Sequence, residues 1–337
     1  MRLWLTVLGL VALIVVAGST IWWLFIASFG DRQVTDLIAR AAKDGTTITV
    51  AEQERSGFPL DIRWHLRGIR VAHQSPEGSL VGQIPELVIE AKAWQPQHLT
   101  YTAAQLQPWQ WQPTDGGAGR SYTVGSFNGQ IEPWQAQPGW RGVAELQDVA
   151  WRVDGLASAE GSAKDVSAEV FMPLDRQSAD FKLRLIQMAL AEPQAFGQVV
   201  ESAFALGTIA PIPKDLTPSG LIEWQQSGGM LSVTQSEIVF GALLANASGK
   251  VALDQTMRPA GKLKLKVINP ELILPVASRE GWVEPDKLGY AQMAIGLLSR
   301  RNASGVNELN TSLEMREGGL WIGPARLVNL KPVVKAK

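Results

Sequence analysis

The sequence predicts an α+β protein, mainly antiparallel β, in which one N-terminal transmembrane helix precedes a large curved β-sheet body with a few covering helices. Three observations predict this. The stretch Leu3–Ala27 carries no charged residue. Later segments such as Leu60–Leu66 and Lys262–Val267 alternate apolar and polar residues, which is typical of strands with one apolar face. Turns rich in glycine and proline separate these segments, without the regular βα alternation of doubly wound folds.

The N-terminal stretch predicts a membrane anchor, which we assign to residues 1–29. A helix of about 25 residues spans about 37 Å, more than the roughly 30 Å of bilayer hydrocarbon. Trp22 and Trp23 lie near its C-terminal end, where interfacial tryptophans are enriched. The alternative is a cleaved signal peptide, since Ala17–Ser19 offers small residues after an apolar run. The run continues through Ile21–Ile26, which favours an uncleaved signal anchor.

The rest of the chain is predicted as two β-rich halves, residues 30–192 and residues 193–337. Each half opens with a predicted helix, because apolar residues recur there at spacings of three and four. The predicted helices are Asp31–Lys43, Gln194–Leu206, Pro270–Arg279 and Asp286–Arg300. The predicted strands are Thr46–Val50, Leu60–Leu66, Leu87–Ala93, Leu99–Leu106, Ala144–Val153, Ala163–Phe171, Ala179–Leu190, Gly220–Trp224, Gly229–Phe240, Ala242–Asp254, Gly261–Ile268, Glu308–Met315 and Leu320–Ile322.

Composition argues against several classes of function. The formal net charge is −1, whereas binding to nucleic acid needs a basic surface that releases counterions from phosphates. There is no cysteine, which excludes disulfides, thiolate metal sites and a lipoprotein anchor. The three histidines, His65, His73 and His98, are too scattered to suggest a metal site. We therefore expect no cofactor, no metal and no nucleic-acid partner.

The sequence shows no motif that indicates catalysis. A nucleophile elbow, a phosphate loop, a dinucleotide fingerprint and an HExxH motif are all absent from it. Glu86 and Glu90 share one strand face, but Pro85 suggests an edge strand, so a solvated pair is favoured over a catalytic one. His65 lies among charged residues of its strand and is predicted to face solvent or to form a salt link. The prediction is a protein that is not an enzyme.

Trp94, Trp109 and Trp111 are the candidate ligand-binding residues among 13 tryptophans. Trp109 and Trp111 are two positions apart, so they share one strand face or form a loop pair at a groove mouth. One interpretation is packing, because an indole buries much apolar area with one polar group. The other is a groove for an amphiphile, because few helices are available to cover about a dozen strands.

Several short motifs carry a resemblance to a known family. They are Arg55–Ile62 (RSGFPLDI), Lys92–Leu99 (KAWQPQHL), Ser248–Asp254 (SGKVALD), Arg258–Gly261 (RPAG) and Gly318–Pro324 (GGLWIGP). Together they resemble the bacterial family called domain of unknown function 2125, found mainly in alphaproteobacteria, which has no established activity. The strands and Pro-Gly turns are more distantly similar to AsmA-like envelope proteins, which have an N-terminal anchor and a long curved β-sheet with an apolar groove and are linked to lipid traffic.

The resemblance and the anchor imply a single-pass protein of the bacterial inner membrane. Arg2 and the free amine favour a cytoplasmic N-terminus, which would put the body in the periplasm. The first functional hypothesis is a module that binds or passes lipid in the cell envelope. The alternative is a non-catalytic scaffold that binds other envelope proteins. A third hypothesis, an enzyme, would need a pocket with perturbed acids.

Overall fold

The structure is a computed structural model of the 337-residue chain. It describes residues 2–43, 45–76, 78–135, 138–190, 199–214, 218–279, 288–323 and 325–334. The chain divides into two compact units, the first comprising Met1–Pro133 with Gly142–Ala157, and the second Trp134–Arg141 with Ser158–Lys337. Every strand pairing described below is antiparallel, and helices are few, so the predicted fold class is confirmed at that level.

The described helices are α1 (Arg2–Lys43), α2 (Pro218–Gln226), a 3₁₀ helix (Pro270–Ile273), α3 (Leu274–Arg279) and α4 (Leu288–Leu298). The predicted helices Asp31–Lys43 and Pro270–Arg279 are confirmed. The first of them is the continuation of α1, which runs unbroken for 42 residues. Of the predicted helix Asp286–Arg300, residues 286 and 287 lie outside the described residues, and the end becomes a short strand.

The predicted membrane span falls largely outside the side chains that the structure describes, because those of residues 1–18 are not among them. Within the part of the chain that is described, no helix has the length and apolar character needed to cross a bilayer. The anchor therefore stays a prediction.

The first unit is built around a central hairpin of two 15-residue strands, β3 and β4. Strands β1 and β2 pair with the edge of β3 that faces away from β4. Strands β5 and β6 pair with the edge of β4 that faces away from β3. Beyond them, β8 pairs with β5, and β7 with both β6 and β9. The bounds are β1 Thr46–Thr49, β2 Glu52–Ser56, β3 Asp61–Ser75, β4 Gly78–Lys92, β5 Gln95–Ala103, β6 Gln107–Pro113, β7 Arg120–Val124, β8 Ser126–Pro133 and β9 Gly139–Val153.

Pro85 does not mark an edge strand, so that prediction is wrong. β4 has partners on both sides. Pro85 lies opposite Gly68, where the β3–β4 ladder is interrupted, and between the parts of β4 that pair with β5 and β6. Its missing N–H therefore costs no ladder hydrogen bond. Gly68 has a φ of +63°, which a glycine adopts without strain.

The middle of α1 covers the apolar face of this hairpin. Ile26 and Ala27 are buried against Ile62 and Trp64 of β3 and Ala91 of β4. The alternation in β3 creates this contact, because it places Ile62 and Trp64 on the same side of the sheet. The predicted C-terminal end of the membrane span is therefore wrong. Ile26 and Ala27 lie against the protein's own sheet and not against lipid.

The opposite face of β3 is charged, as the alternation predicted, and it carries cross-strand ion pairs. Arg63 lies across from Glu90, and its Nε donates to Glu90 Oε2 at 2.9 Å. Arg67 lies across from Glu86 and donates to Glu86 Oε1 at 3.3 Å. The pKa of Arg63 is raised above its ordinary value, and the largest cause is the hydrogen bond to Glu90. Both carboxylates are thus engaged by cations on one partly exposed face.

The second unit is a meander in which consecutive strands pair in order from β10 to β15. β17 follows β15, and its other edge pairs with β16 and β18, while β19 pairs with β18. The bounds are β10 Leu156–Pro173, β11 Ala179–Leu190, β12 Val200–Ala210, β13 Met230–Phe240, β14 Leu243–Leu253, β15 Pro259–Ile268, β16 Ser299–Arg301, β17 Asn307–Arg316, β18 Gly319–Ile322 and β19 Ala325–Asn329. The predicted C-terminal hairpin of β17 and β18 is confirmed.

Two predicted elements of this unit are wrong. The predicted helix Gln194–Leu206 is strand β12 from Val200 onward, and residues 194–198 lie outside the described residues. Its apolar residues fit both periods, and pairing with β11 and β13 decides for the strand. The predicted strand Gly220–Trp224 belongs to helix α2, where Trp224 is buried and donates to the carbonyl of Pro211 at 2.6 Å.

Asp254 organises the turn between β14 and β15. Its Oδ1 accepts hydrogen bonds from the N–H of Thr256 at 2.8 Å, the hydroxyl of Thr256 at 2.7 Å and the N–H of Arg258 at 2.9 Å. Desolvation by burial raises the pKa of Asp254, but these hydrogen bonds outweigh it and lower the pKa overall. The ionised carboxylate is therefore the form that this turn binds.

We expect Asp254→Ala to lower the free energy of unfolding by about 1–3 kcal/mol, because it leaves turn donors without their acceptor. Asp254→Asn keeps an acceptor oxygen and should lose less. Because the pKa is lowered on folding, the stabilisation is present above the ordinary value of 3.8 and disappears as the pH falls through the lower folded pKa. Urea unfolding between pH 2 and 7 measures this. An acid dependence in Asp254→Asn equal to that of the unsubstituted chain would contradict the assignment.

Candidate functional site

The first candidate surface lies where α1 meets one end of the first unit's sheet. Trp22 Nε1 donates to the carbonyl of Ala93 at 2.7 Å, and Trp23 Nε1 donates to that of Asp61 at 2.8 Å. Ala93 N–H in turn donates to Leu60 O at 2.9 Å, which joins the turn before β3 to the turn before β5. Helix α1 and these two turns therefore form one connected structure.

Large apolar side chains remain exposed around this junction. We call them the junction surface: Ile21, Trp22, Leu24, Phe25, Phe58, Leu60 and Trp94, with exposed fractions from 49% for Trp22 to 68% for Ile21. Aromatic ring contacts within α1, and between α1 and the turn before β3, connect parts of this surface. Trp22 and Phe25 stack with centroids 6.0 Å apart, and Trp23 meets the Phe58 ring edge-on at 5.7 Å. Trp94, one of the predicted ligand-binding residues, belongs to this surface and is 59% exposed.

Trp109 and Trp111 lie apart from that surface, on one face of β6 as their spacing predicted, and both are half-buried. Each lies over a glycine of β4. A Cβ on Gly82 would lie 2.0 Å from the Trp109 ring, and one on Gly78 would lie 2.6 Å from the Trp111 ring. Gly82 is also the cross-strand partner of Trp109. These contacts favour packing as their role, because an indole covers the backbone that a glycine leaves bare.

The second candidate surface is one face of the meander, which sequence reasoning did not single out. The register brings three rows of residues to the same side of strands β11, β12, β13, β14, β15 and β17. We call these residues the meander face. They are Leu185, Ala203, Ile238, Ala245, Val267 and Leu309 in the first row, Leu183, Ala205, Ser236, Ala247, Leu265 and Thr311 in the second, and Phe181, Gly207, Val233, Gly249, Leu263 and Leu313 in the third.

The meander face is corrugated, because β12 and β14 contribute only alanine and glycine to it. The sequences A-F-A-L-G at Ala203–Gly207 and A-N-A-S-G at Ala245–Gly249 share this pattern, which is the signal that could have revealed the face. Larger side chains stand on the neighbouring strands, such as Leu183 and Ile238 on either side of β12. Since adjacent strands are about 4.8 Å apart, those walls lie about 10 Å from each other.

Only one end of the meander face is sealed by described residues. Val267 and Leu309 are buried there in a cluster with Phe240 and Leu243, against which Ile273 of the 3₁₀ helix packs. Elsewhere the face is covered less evenly. Leu183 is 47% exposed and Ile238 is 46% exposed, whereas Gly207 is buried and the Phe181 ring lies close to it. The apolar side of this sheet is therefore partly uncovered within the described chain.

The opposite face of the same strands carries mainly polar residues, although Phe204 and Leu206 of β12 also lie on it. A concavity of about 540 Å³ at β13, β14, β15 and β17 is lined by residues of this face, such as Asn246 and Lys264, together with residues of the meander face such as Leu265. Lys266 is paired with Glu308 at 3.1 Å, so part of its charge is already compensated. The two faces of the meander thus differ in the polarity of most of their side chains.

The carboxylates considered as catalytic candidates are held in ion pairs. Glu86 accepts from Arg67, and His65 Nδ1 lies 3.4 Å from Glu86 Oε1, which is within the distance of the predicted salt link. Glu90 is held by Arg63. Each of the two carboxylates therefore has an arginine as its ion-pair partner. The arrangement is that of a charged strand face.

Comparison with known proteins gives a family and no function. A family model described as "Uncharacterized protein conserved in bacteria (DUF2125)" matches residues 23–331. No curated protein and no solved structure matches the chain. The more distant similarity to AsmA-like envelope proteins is not shown by these comparisons. Since the match covers nearly all of the chain, from within α1 to beyond β19, the protein belongs to the bacterial family of uncharacterised proteins DUF2125.

Proposed function

We propose that this protein is a membrane-anchored, periplasmic lipid-binding protein of the bacterial envelope, in which the meander face binds acyl chains. The partly uncovered apolar face of β11 to β17 carries the proposal. The uncharged N-terminal stretch of α1 is the proposed anchor and would bring this face within reach of membrane lipids.

The chemistry of the meander face suits an alkyl chain. Burial of each methylene contributes about 0.8 kcal/mol, so ten methylenes contribute about 8 kcal/mol before the costs of association. The small side chains of Ala203 and Ala205 leave room between the taller Leu183 and Ile238. Soluble monomers rarely expose contiguous apolar patches of this kind unless the patch has a partner.

Site-specific photocrosslinking in cells tests the proposal. A benzophenone amino acid at Leu183 or Ile238 should form adducts with lipid. The same group at Lys182 or Glu237, the adjacent residues on the polar face, should form few. Equal lipid adducts at all four positions, or none at Leu183 and Ile238, would overturn the proposal. Adducts of Leu183 and Ile238 with protein would favour the alternative function, an envelope scaffold.

Filling the groove should weaken lipid binding. In Ala205→Phe a ring occupies the space that two or three methylenes would fill, a loss of about 2 kcal/mol or roughly thirtyfold in affinity. Binding of a fluorescent fatty acid to the delipidated full chain measures the change. Leu206→Phe, on the polar face of the same strand, is the matched control and should bind normally. Unchanged affinity in Ala205→Phe would contradict the groove.

A further inference from the structure

We propose that the junction surface lies in the headgroup region of the bilayer, so that the first unit is seated on the membrane surface instead of hanging on a free tether. This inference rests on the proposed anchor and adds the orientation of the first unit to it. The partner that it assigns to the surface is the lipid bilayer.

The direction of α1 supports this placement. Trp22 and Trp23 contact the turns at Ala93 and Asp61, at the end of the sheet. Nine residues later, Asp31 accepts from Trp64 Nε1 at 3.1 Å and pairs with Arg55 at 3.0 Å, farther along the strands. Between these contacts the helix therefore advances about 13 Å in the direction in which β3 runs from Asp61 to Trp64. Its residues before Ile21 therefore continue past the sheet end, on the side where the two turns lie.

The chemistry of the junction surface fits an interface between hydrocarbon and water. Phe58 and Leu60 form one turn tip, Trp94 forms the other, and all three are more than half exposed. Aromatic residues are enriched at the level of lipid headgroups, and an apolar surface gains free energy by leaving water there. The tips stand beside the helix at the level where the proposed span would leave the bilayer.

Charge changes abruptly on the body side of these tips. Asp61 follows Leu60 directly, Lys92 lies two residues before Trp94, and these two side chains pair at 2.6 Å. Asp31, one turn of helix beyond Ala27, pairs with Arg55. The apolar tips and the first charged layer thus form two successive levels along the helix, as expected for a protein whose end enters the membrane interface.

The length of α1 is consistent with this level. If the bilayer span ends at Ile21, the uncharged stretch from Leu3 contains 19 residues, or about 28 Å of helix. That nearly equals the roughly 30 Å of hydrocarbon. The span therefore needs none of the residues that α1 packs against the sheet.

Spin labelling tests the inference directly, because the chain has no cysteine and each introduced cysteine is unique. The variants Phe58→Cys, Leu60→Cys and Trp94→Cys of the full chain are labelled and reconstituted in nanodiscs of phosphatidylcholine and phosphatidylglycerol. Collision rates with oxygen and with a water-soluble nickel complex then report depth. We expect the three labels to collide more with oxygen than with nickel.

Leu106→Cys is the matched control. Leu106 is 60% exposed, as Leu60 is, but it follows β5 at the end of that strand opposite Trp94. A span of nine strand residues puts it about 27 Å or more away. Its label should collide mainly with nickel, and junction labels that behave like it would overturn the inference.

A label at Ala12→Cys separates this inference from the proposed anchor. Oxygen accessibility at Ala12 with nickel accessibility at Phe58, Leu60 and Trp94 would leave the anchor in place and overturn the seating of the first unit on the membrane. Nickel accessibility at Ala12 would overturn both. Labels at the junction that are immobilised and shielded from both reagents would show a protein partner on this surface and would also overturn the bilayer contact.

Discussion

Trp64→Ala should lower the free energy of unfolding of the first unit by about 3–5 kcal/mol, the typical cost of removing a buried tryptophan. Trp64 is only 4% exposed and packs with Ile26 and Ala27 of α1. The substitution also removes the donor to Asp31 Oδ1, at 3.1 Å. At about 2–4 °C per kcal/mol, the melting temperature in detergent micelles should fall by about 6–20 °C.

Trp94→Ala is the matched control for this experiment, because it removes the same side chain from an exposed turn. Trp94 is 59% exposed, and surface substitutions generally change stability by no more than about 0.5 kcal/mol. Equal losses in Trp64→Ala and Trp94→Ala would show that α1 does not pack on β3 as described. A second readout is proteolysis after Arg32 or Arg40, which should become faster only in Trp64→Ala as α1 loses its contact with the sheet.

Gly30→Leu should also loosen the contact between α1 and the sheet. A Cβ at Gly30 would lie 2.2 Å from Cζ2 of Trp64, closer than any real contact. Helix propensity alone would favour leucine over glycine by about 1 kcal/mol. Overpacking a tight contact costs about 1–3 kcal/mol or more, so the clash decides the sign and the variant should be less stable. Chemical denaturation of the full chain in micelles measures the change.

The double variant Gly30→Leu with Trp64→Ala should lose less stability than the sum of the two single variants. The leucine can occupy part of the volume that the indole vacates, and residues in contact are coupled in this way. Gly296→Leu is the control, because a Cβ at Gly296 in α4 meets no described atom within 4 Å. It should be neutral or slightly stabilising. Strict additivity in the double variant would contradict the contact between Gly30 and Trp64.

The sequence predicted best those elements whose apolar residues fit only one periodicity, that of a strand or that of a helix. In β3, the alternation of Ile62, Trp64 and Leu66 with charged residues predicted both the strand and its two faces. The alternation of lysines and aliphatic residues in β15 did the same. Alternation determines which face is apolar because successive strand side chains point to opposite sides, whatever the partner strand is.

The elements that were predicted wrongly fit two patterns at once. The apolar residues of Val200–Leu206 recur at helical spacing, and also at every second position. Only hydrogen bonding to β11 and β13 distinguishes the two. Pro85 likewise predicts an edge by itself. Its harmless position opposite Gly68 depends on a strand that lies elsewhere in the chain.

The candidate binding residues were predicted only in part. The spacing of Trp109 and Trp111 predicted their shared face, but not the glycines of β4 beneath them. The meander face was missed, because alanines and glycines are weak signals until pairing places them between larger side chains. Trp94 is more than half exposed and belongs to the junction surface beside α1, a position that its sequence context did not predict.

By itself, the sequence determined the antiparallel β character, the charged and apolar faces of individual strands, and the family. These follow from local periodicity and from ordered motifs, which need no knowledge of distant contacts. Only the tertiary structure decided that Trp23, Ile26 and Ala27 pack on the protein's own sheet, and that small residues of β12 and β14 line a partly uncovered face. Such facts depend on which strands become neighbours, because burial and exposure belong to the pairing of segments and not to any one segment.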